Sequence, residues 1–187
     1  MDDVFYTRFE SHMGSVWVAS TRRGVCKVSL GAQGEEAFRS WLSDRGAPVP
    51  TREEPETLMH AVSQLREYLS GRRQVFDLPL DVRGTAFQSA VWRQVGRIPY
   101  GETTTYGAIA QLMGHPKASR AVGGAVGANP VPIIVPCHRV IGANGALTGF
   151  GEGVEVKASL LRLEGAYPLK GLAGGGGRGA FLDHDAR

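Results

Sequence analysis

The first thirty residues alternate apolar and polar side chains in three stretches, VFYTRFES, SVWVAST and GVCKVSL. A period of two is what a pleated strand requires when one face meets a core. Met13-Gly14 and Arg23-Gly24 separate the stretches as turn signals, so the pattern predicts a three-stranded antiparallel meander. A short helix is predicted over Glu35–Leu42, followed by a polar, proline-containing stretch, SDRGAPVPTREEPE. Leu58, Val62, Leu65 and Leu69 then recur at helical spacing and define an amphipathic helix that ends before Gly71. Residues 77–86 (DLPLDVRGTA) carry Pro and Gly without periodicity and mark the boundary between two units. Beyond it the period is helical: Phe87, Val91 and Val95 share one face, Ile109, Leu112 and Met113 another, and Val156, Leu160, Leu161 and Leu163 mark a last helix. From Gly171 onward there are 6 glycines in 17 residues, which predicts a flexible tail with no assigned function.

With 187 residues, 42% hydrophobic and 21% charged, the chain is globular, and a wholly disordered or fibrous class is excluded; its length lies between one large domain and two small ones, and two small domains are expected. No apolar run approaches the roughly 20 residues that span a bilayer. The start MDDVFYTRFE lacks the layout of a secretion signal, so a cytoplasmic protein with no membrane partner is expected. A net charge of +3 is too small to prove nucleic-acid binding, but its distribution is uneven. Residues 1–83 hold 11 Lys or Arg against 12 Asp or Glu, whereas residues 84–170 hold 8 against 4. The second half is the one suited to meet a polyanion.

Within that half, residues 103–128 read TTTYGAIAQLMGHPKASRAVGGAVGA. This is a helix opening at a Thr cap, a stop at Gly114, a tight His115-Pro116 turn, and a second helix from Lys117. The spacing is that of a helix-turn-helix, although an ordinary helical hairpin has the same outline. Ala118, Ser119, Ala121, Gly123, Gly124, Ala125 and Gly127 leave the second helix almost bare, at a cost of about 1 kcal/mol per interior glycine relative to alanine. Close approach by another surface would offset that cost. Lys117 at its start and Arg120 one turn along suit it to a DNA groove; tight packing of helix on helix would use the same small residues.

Two cysteines, Cys26 and Cys137, are too few and too far apart for the disulfide framework of a small secreted domain. Cys137 lies in NPVPIIVPCHRVIG, residues 129–142, between an apolar strand-like run and a polar turn. A cysteine is more often a small buried hydrophobe than a nucleophile. Pro136, His138 and Arg139, however, give this one a stiff approach and polar neighbours that a structural thiol does not need. To attack, a thiol must lose its proton, so a base or positive charge is expected to hold its pKa at or below the free value of about 8.5. His138 is the natural base. Neighbours on an extended chain point to opposite sides, so either the chain turns here or a water links the two. Glu164, late in the last helix, is the carboxylate available to orient His138. Cys and His can also mean zinc. His12, His60, His115, His138 and His184 form with the two cysteines neither a Cys-x-x-Cys pair nor a helical His-x-x-x-His, so no metal and no other cofactor is expected.

Three segments together resemble one family, the O6-alkylguanine-DNA alkyltransferases, also called methylated-DNA–protein-cysteine methyltransferases: PCHRVIG (136–142), ASRAVGGAVGANPVPIIVPC (118–137) and IPYGETTTYGAIA (98–110). The resemblance is strong over residues 84–167 and loose over the first half. It implies an α/β N-terminal domain, ribonuclease-H-like, over residues 1–80. An all-α C-terminal domain with the helix-turn-helix follows over 84–170, then the tail over 171–187. The implied activity is DNA repair by direct, stoichiometric transfer of an alkyl group from O6-alkylguanine to Cys137, each molecule acting once; O4-alkylthymine as a second substrate is left open. The implied partner is double-stranded DNA carrying the lesion, met through its minor groove by a monomer.

Residue by residue, the resemblance makes Cys137 the alkyl acceptor and joins His138 and Glu164 in a relay that reaches the thiol through a bound water. Asn129 would brace the turn that presents the thiol. Tyr106 would press on the backbone of the target nucleotide and hydrogen-bond the guanine, and Arg120 would fill the space left by the flipped base. Lys117, Ala118, Ser119 and Gly123 would join Arg120 on the DNA-facing helix. Backbone groups at Cys137 and Val140, with the loop around Phe150 and Gly151, would line the guanine pocket, and Lys157 would lie near that loop. Glu152 stands where family members commonly have a further glycine, an extra negative charge that would slow DNA binding or narrow the substrate range. Two other functions fit parts of this pattern: a DNA-binding regulator without chemistry, and a thiol hydrolase that turns over repeatedly.

Overall fold

The computed structural model describes residues 3–31, 34–44 and 56–167. The three alternating stretches form strands β1 (Phe5–Ser11), β2 (Gly14–Thr21) and β3 (Gly24–Leu30), an antiparallel sheet in the order β1-β2-β3. Pairing between β2 and β3 slips where Ala19 faces Lys27 and Ser20 faces Val25, which leaves Cys26 as the extra residue of a bulge. Helices cover both faces of the sheet. Helix α1 (Gly34–Asp44) sets Phe38 against Trp17, Ala19 and Cys26. Helix α2 (Glu56–Leu69) sets Leu58, Ala61 and Leu65 into the cluster that holds Val16, Val18, Val28 and Leu30. Cys26 therefore packs as a small apolar side chain beside aromatic rings. Most of the proline-containing stretch after α1, and the whole glycine-rich tail from Gly171, lie outside the described residues.

The segment between the two halves is pinned to the sheet. Val25 N donates to Pro79 O and Asp81 N to Val25 O, both at 2.9 Å, so that Leu80 makes a parallel bridge to the edge of β3. The Asp81 carboxylate accepts from Thr21 Oγ1 at 2.8 Å and from Arg23 at 3.2 Å. Gly24 permits this approach, because a Cβ there would stand 2.5 Å from the Pro79 carbonyl oxygen.

Past this segment come α3 (Ala86–Val95), β4 (Thr104–Thr105), α4 (Tyr106–Leu112), α5 (Ser119–Gly127), a 3-10 turn (Cys137–Arg139), β5 (Val140–Ile141) and α6 (Val154–Leu163). Thr85 and Gln88 form a capping box on α3, and Thr105 caps α4 by accepting from Ala108 N. The sequence led to an all-α second half, and the structure corrects this: β4 and β5 pair in parallel, Thr104 with Val140 and Thr105 with Ile141. Strands of two residues are too short to show a period. Helix α5 begins at Ser119 rather than Lys117, because Ala118 N closes the preceding turn onto His115 O and no side chain caps an earlier start. Leu112 is 53% exposed rather than inward-facing. The buried stripe of α4 instead runs through Ile109 and Ala110, with Met113 packed behind them.

One core joins the two halves, running from the sheet through Leu65 and Tyr68 of α2 to Val91 and Trp92 of α3, Ile109 of α4 and Leu160 of α6. Trp92 Nε1 donates to Ala125 O at 2.8 Å and ties α3 to α5. Among the described residues no helix is long and apolar enough to cross a membrane.

Gly24→Ala would drive a methyl group into the backbone of Pro79, a clash that no rotamer relieves. It is expected to cost about 2 kcal/mol or more, read as a lower urea midpoint at unchanged slope. Stability equal to wild type would show that the close approach is not a constraint.

Candidate active site

Cys137 is delivered by a segment that folds back on itself. The buried Asn129 side chain holds both ends of it: Val131 N donates to Asn129 Oδ1 at 3.1 Å and Asn129 Nδ2 donates to Val135 O at 2.8 Å. Between them Ile133 adopts φ of 74°, the left-handed region that a β-branched residue enters only when its surroundings impose it. The chain then turns through the 3-10 turn, so Cys137 and His138 do not sit on an extended strand. No direct hydrogen bond joins the thiol to the imidazole among the described residues.

Behind the thiol lies a buried polar cluster centred on Glu164, at the C-terminal cap of α6. His138 Nε2 is 2.9 Å from Glu164 Oε1. Arg139 donates to the same carboxylate from Nε at 2.9 Å and Nη2 at 2.8 Å, and from Nη1 to Ile98 O. Gly101 N donates to Glu164 Oε2 at 3.2 Å. The Tyr68 hydroxyl donates to Glu164 Oε1 at 2.5 Å and stands 3.3 Å from His138 Nε2. Tyr68 comes from α2, in the other half of the chain. In the sequence it is one more aromatic on an apolar helix face, and only the tertiary fold brings it here.

These contacts set the charges. Burial works to raise the Glu164 pKa, but hydrogen bonds from His138, Arg139 and Tyr68 outweigh it and bring it down to about 2. Burial holds the His138 imidazole below its ordinary value, against the pull of Glu164, so the ring is neutral at neutral pH. Its Nδ1 is buried and has no hydrogen-bond partner among the described residues. The Cys137 thiol differs from expectation. Burial pushes it up to about 12, the Glu152 charge adds to this, and a hydrogen bond with Asn129 and the charge of Lys157 pull only partly the other way. The site keeps a neutral thiol, so the proton has to leave as the reaction proceeds rather than before it.

The loop after β5 closes over the thiol's side of α4. Tyr106, half-buried at the start of α4, donates to Thr148 O at 2.7 Å. Lys157, fully buried on α6, donates to Val140 O at 2.6 Å and Thr148 O at 2.9 Å. Burial lowers the Lys157 pKa to about 8, against the raising effect of Cys137. Phe150 packs at the edge of the core and Gly151 is exposed. Glu152, on the same loop, is coupled electrostatically to Lys27 of β3.

On α5, Lys117 just before it and Arg120 on its first turn are exposed, while Ala118 and Ser119 are half-buried. Val122, Ala125 and Val126 face inward; Ala121, Gly124 and Gly127 face out. A Cβ at Gly124 or Gly127 would meet nothing within 4 Å, and one at Gly123 only the Tyr106 ring at 3.8 Å. Packing within the chain thus does not require glycine at 124 or 127. A cavity of about 580 Å³ is lined by Phe76, Leu78, Trp92, Ile134, Pro136 and Arg139 among others; it reaches the segment that carries Cys137, but Cys137, Tyr106 and Phe150 do not line it. Among the described residues no three His, Cys, Asp or Glu side chains are grouped as a metal site would need.

Two family models match the chain: "6-O-methylguanine DNA methyltransferase, ribonuclease-like domain" over residues 4–82 and "6-O-methylguanine DNA methyltransferase, DNA binding domain" over residues 86–166. A methylated-DNA–protein-cysteine methyltransferase of Methanosarcina acetivorans is 45% identical over 165 residues, 87% of this chain and 99% of that protein. One from Mycobacterium tuberculosis is 44% identical over 162 residues, 86% of this chain and 92% of that protein. The crystal structure of Mycobacterium tuberculosis OGT in complex with DNA superposes with a TM-score of 0.73 at 41% identity, covering 86% of this chain and 92% of that one.

The negative charge of Glu152 opposes formation of a thiolate at Cys137. Glu152→Gln should therefore lower the thiol pKa and raise its rate of reaction with iodoacetamide at pH 8 about two- to fivefold, the whole pH profile moving to lower pH. An unmoved profile in a folded variant would mean that this charge does not reach the sulfur.

Proposed function

The chain belongs to the 6-O-methylguanine DNA methyltransferase family, and from that premise we propose how its own residues carry out the reaction. It repairs DNA by moving an alkyl group from guanine O6 to a cysteine of its own, and that cysteine is Cys137. The observation that carries the assignment is the buried set behind the thiol: His138 is held by Glu164 through Nε2 and leaves Nδ1 open. Cys26, by contrast, is packed between the sheet and α1 in the apolar cluster of Trp17, Ala19 and Phe38.

In the reaction His138 Nδ1 takes the thiol proton through a water, and Glu164 balances the imidazolium. The sulfur attacks the alkyl carbon; the S–C bond forms as the C–O6 bond breaks, and the electron pair leaves on the guanine. Tyr106, released from Thr148 O, protonates the departing base and is reprotonated from the relay, so the thiol proton ends on guanine. Asn129 braces the segment that presents the sulfur. The carbonyls at Cys137 and Val140, with Phe150 and Gly151, line the pocket, and Lys157 anchors its floor and loop. The product is a thioether that none of these groups can cleave. Each molecule acts once.

The alkyl carbon is hidden inside the duplex, so the base must be flipped out, at a cost of a few kcal/mol. In this reading α4 and α5 act as a helix-turn-helix whose bare outer face enters the minor groove, with Arg120 as the wedge and Lys117, Ala118, Ser119 and Gly123 beside it. The working units are residues 1–80, ribonuclease-H-like, and 84–170. The protein acts as a monomer in the cytoplasm, a reducing compartment that suits an acceptor kept as a thiol.

Cys137→Ser is expected to abolish transfer from an O6-methylguanine oligonucleotide while Cys26→Ser retains it. Mass spectrometry should find about one methyl per molecule, and only on the peptide holding Cys137. The reverse pattern would mean that the wrong thiol has been chosen. Repeated turnover would point to a hydrolase, and intact binding without transfer to a regulator.

Arg120→Ala should slow duplex repair far more than reaction with free O6-benzylguanine, because only the duplex demands extrusion of a base. Gly124→Ala should follow the same split while stabilising the fold by about 0.5–1 kcal/mol. Equal losses on both substrates would remove α5 from the DNA interface.

A further inference from the structure

We infer that Tyr68 is a positioning residue of the thiol relay: its hydroxyl, reaching across from the N-terminal half, binds Glu164 so that His138 carries its proton on Nε2 and stays neutral until substrate arrives. The inference rests on the Cys137–His138 reading above and adds to it a role for the first half of the chain in the chemistry.

Tyr68 Oη, His138 Nε2 and Glu164 Oε1 form a triangle with sides of 2.5, 2.9 and 3.3 Å. A carboxylate only accepts, so two protons, from the phenol and from the imidazole, converge on Oε1. With its own proton given to Glu164, the Tyr68 oxygen turns lone pairs toward Nε2. A proton on Nε2 therefore meets two acceptors. A proton on Nδ1 instead would set the Nε2 lone pair against a carboxylate oxygen. The phenol proton does not leave, since burial first and the Glu164 charge next both raise the Tyr68 pKa.

The second effect is on basicity. Each donor on Glu164 takes up part of its charge and weakens its grip on the imidazolium. The charged and titratable groups facing His138 are Glu164 and Lys157 from α6, Arg139 and Cys137 from its own turn, and Tyr68 from α2, with Tyr100 against Tyr68. Arg139 and Lys157 oppose a charged ring, and only Glu164 favours one. Tyr68 moderates that single favourable partner without bringing another charge into the core. Without the hydroxyl, Glu164 would charge His138 at higher pH, and a charged ring cannot accept the thiol proton.

The test is Tyr68→Phe, which keeps the ring and removes one donor from a carboxylate that retains Arg139, His138 and Gly101. The measurements are ¹⁵N NMR of the His138 ring against pH, without substrate, and single-turnover methyl transfer against pH. In the wild type the neutral ring should carry its proton on Nε2. In Tyr68→Phe the His138 midpoint should rise by about one unit. Transfer should then fall about tenfold below both midpoints and return to wild-type rates above them. A fluorinated tyrosine at 68, a stronger donor, should move the midpoint down, and this arm stands even if Tyr68→Phe folds poorly. Losses equal at every pH, an unmoved midpoint, or a proton on Nδ1 in the wild type would each overturn the inference. Failure of the wild type to transfer at all would instead overturn the proposed function, and the NMR arm would still decide the role of Tyr68.

Discussion

A carboxylate taken out of water has to be surrounded by donors or it costs several kcal/mol. Glu164 is 6% exposed, and its donors come from three separate parts of the chain: Tyr68 from α2, Gly101 from the turn before β4, and His138 with Arg139 from the turn that carries the thiol. Tyr68, His138 and Arg139 reach the carboxylate through the core, where water does not replace them, and Gly101 N reaches it from a part-buried turn. The condition that Glu164 be satisfied therefore fixes how the end of α6, the 98–101 turn and the acceptor segment meet, and how all three dock on α2. Removing the carboxylate would strand the buried Arg139 guanidinium, an uncompensated charge that costs about 3–5 kcal/mol.

The same burial decides the state of the sulfur. A thiol raised to about 12 is protected from stray electrophiles, since its thiolate is scarce at neutral pH. For a protein that can react once, inertness at rest matters as much as speed in the complex. In the proposed reaction, His138, held by Glu164 with one nitrogen open, removes the proton only when something is in place to be attacked. Lys157 does not turn the thiol into a standing thiolate, because its ammonium is occupied by the Val140 and Thr148 carbonyls and its work is to shape the wall they form.

Much of this was legible in the chain. The meander, the long amphipathic helix and the capping threonines follow from periods of two and 3.6 and from local hydrogen bonding. Cys137, His138 and Asn129 stand within ten positions of one another, so short-range motif reasoning reaches them, and Glu164 shares their half. Tyr68 was not legible. Its role depends on a contact 96 residues away, and an aromatic on a buried helix face reads as core. The pairing of β4 with β5 is likewise non-local and too short for a pattern. The acidity of the thiol was misjudged for a related reason: sequence shows which charges are near along the chain, but desolvation is a property of the packed volume. Arg139, two residues from Cys137 in the turn, has its charge spent on Glu164.

Glycines separate the demands of folding from those of function. Gly24 and Gly84 are compelled from within: a Cβ would stand 2.5 Å from the Pro79 carbonyl at the first and 2.5 Å from the Trp92 ring at the second. That ring cannot yield easily, because its Nε1 is fastened to Ala125 O. Gly124 and Gly127 have no such reason. They lie in a helix, face outward, and would accept a methyl group with nothing within 4 Å, yet each forgoes up to about 1 kcal/mol of helix stability relative to alanine. Nothing inside the fold asks for smallness on that exposed stripe, and under the proposed function it is the face left bare for the DNA. In that reading the exposed Arg120 and Lys117 at the head of the stripe supply the positive charge that a phosphate backbone would meet.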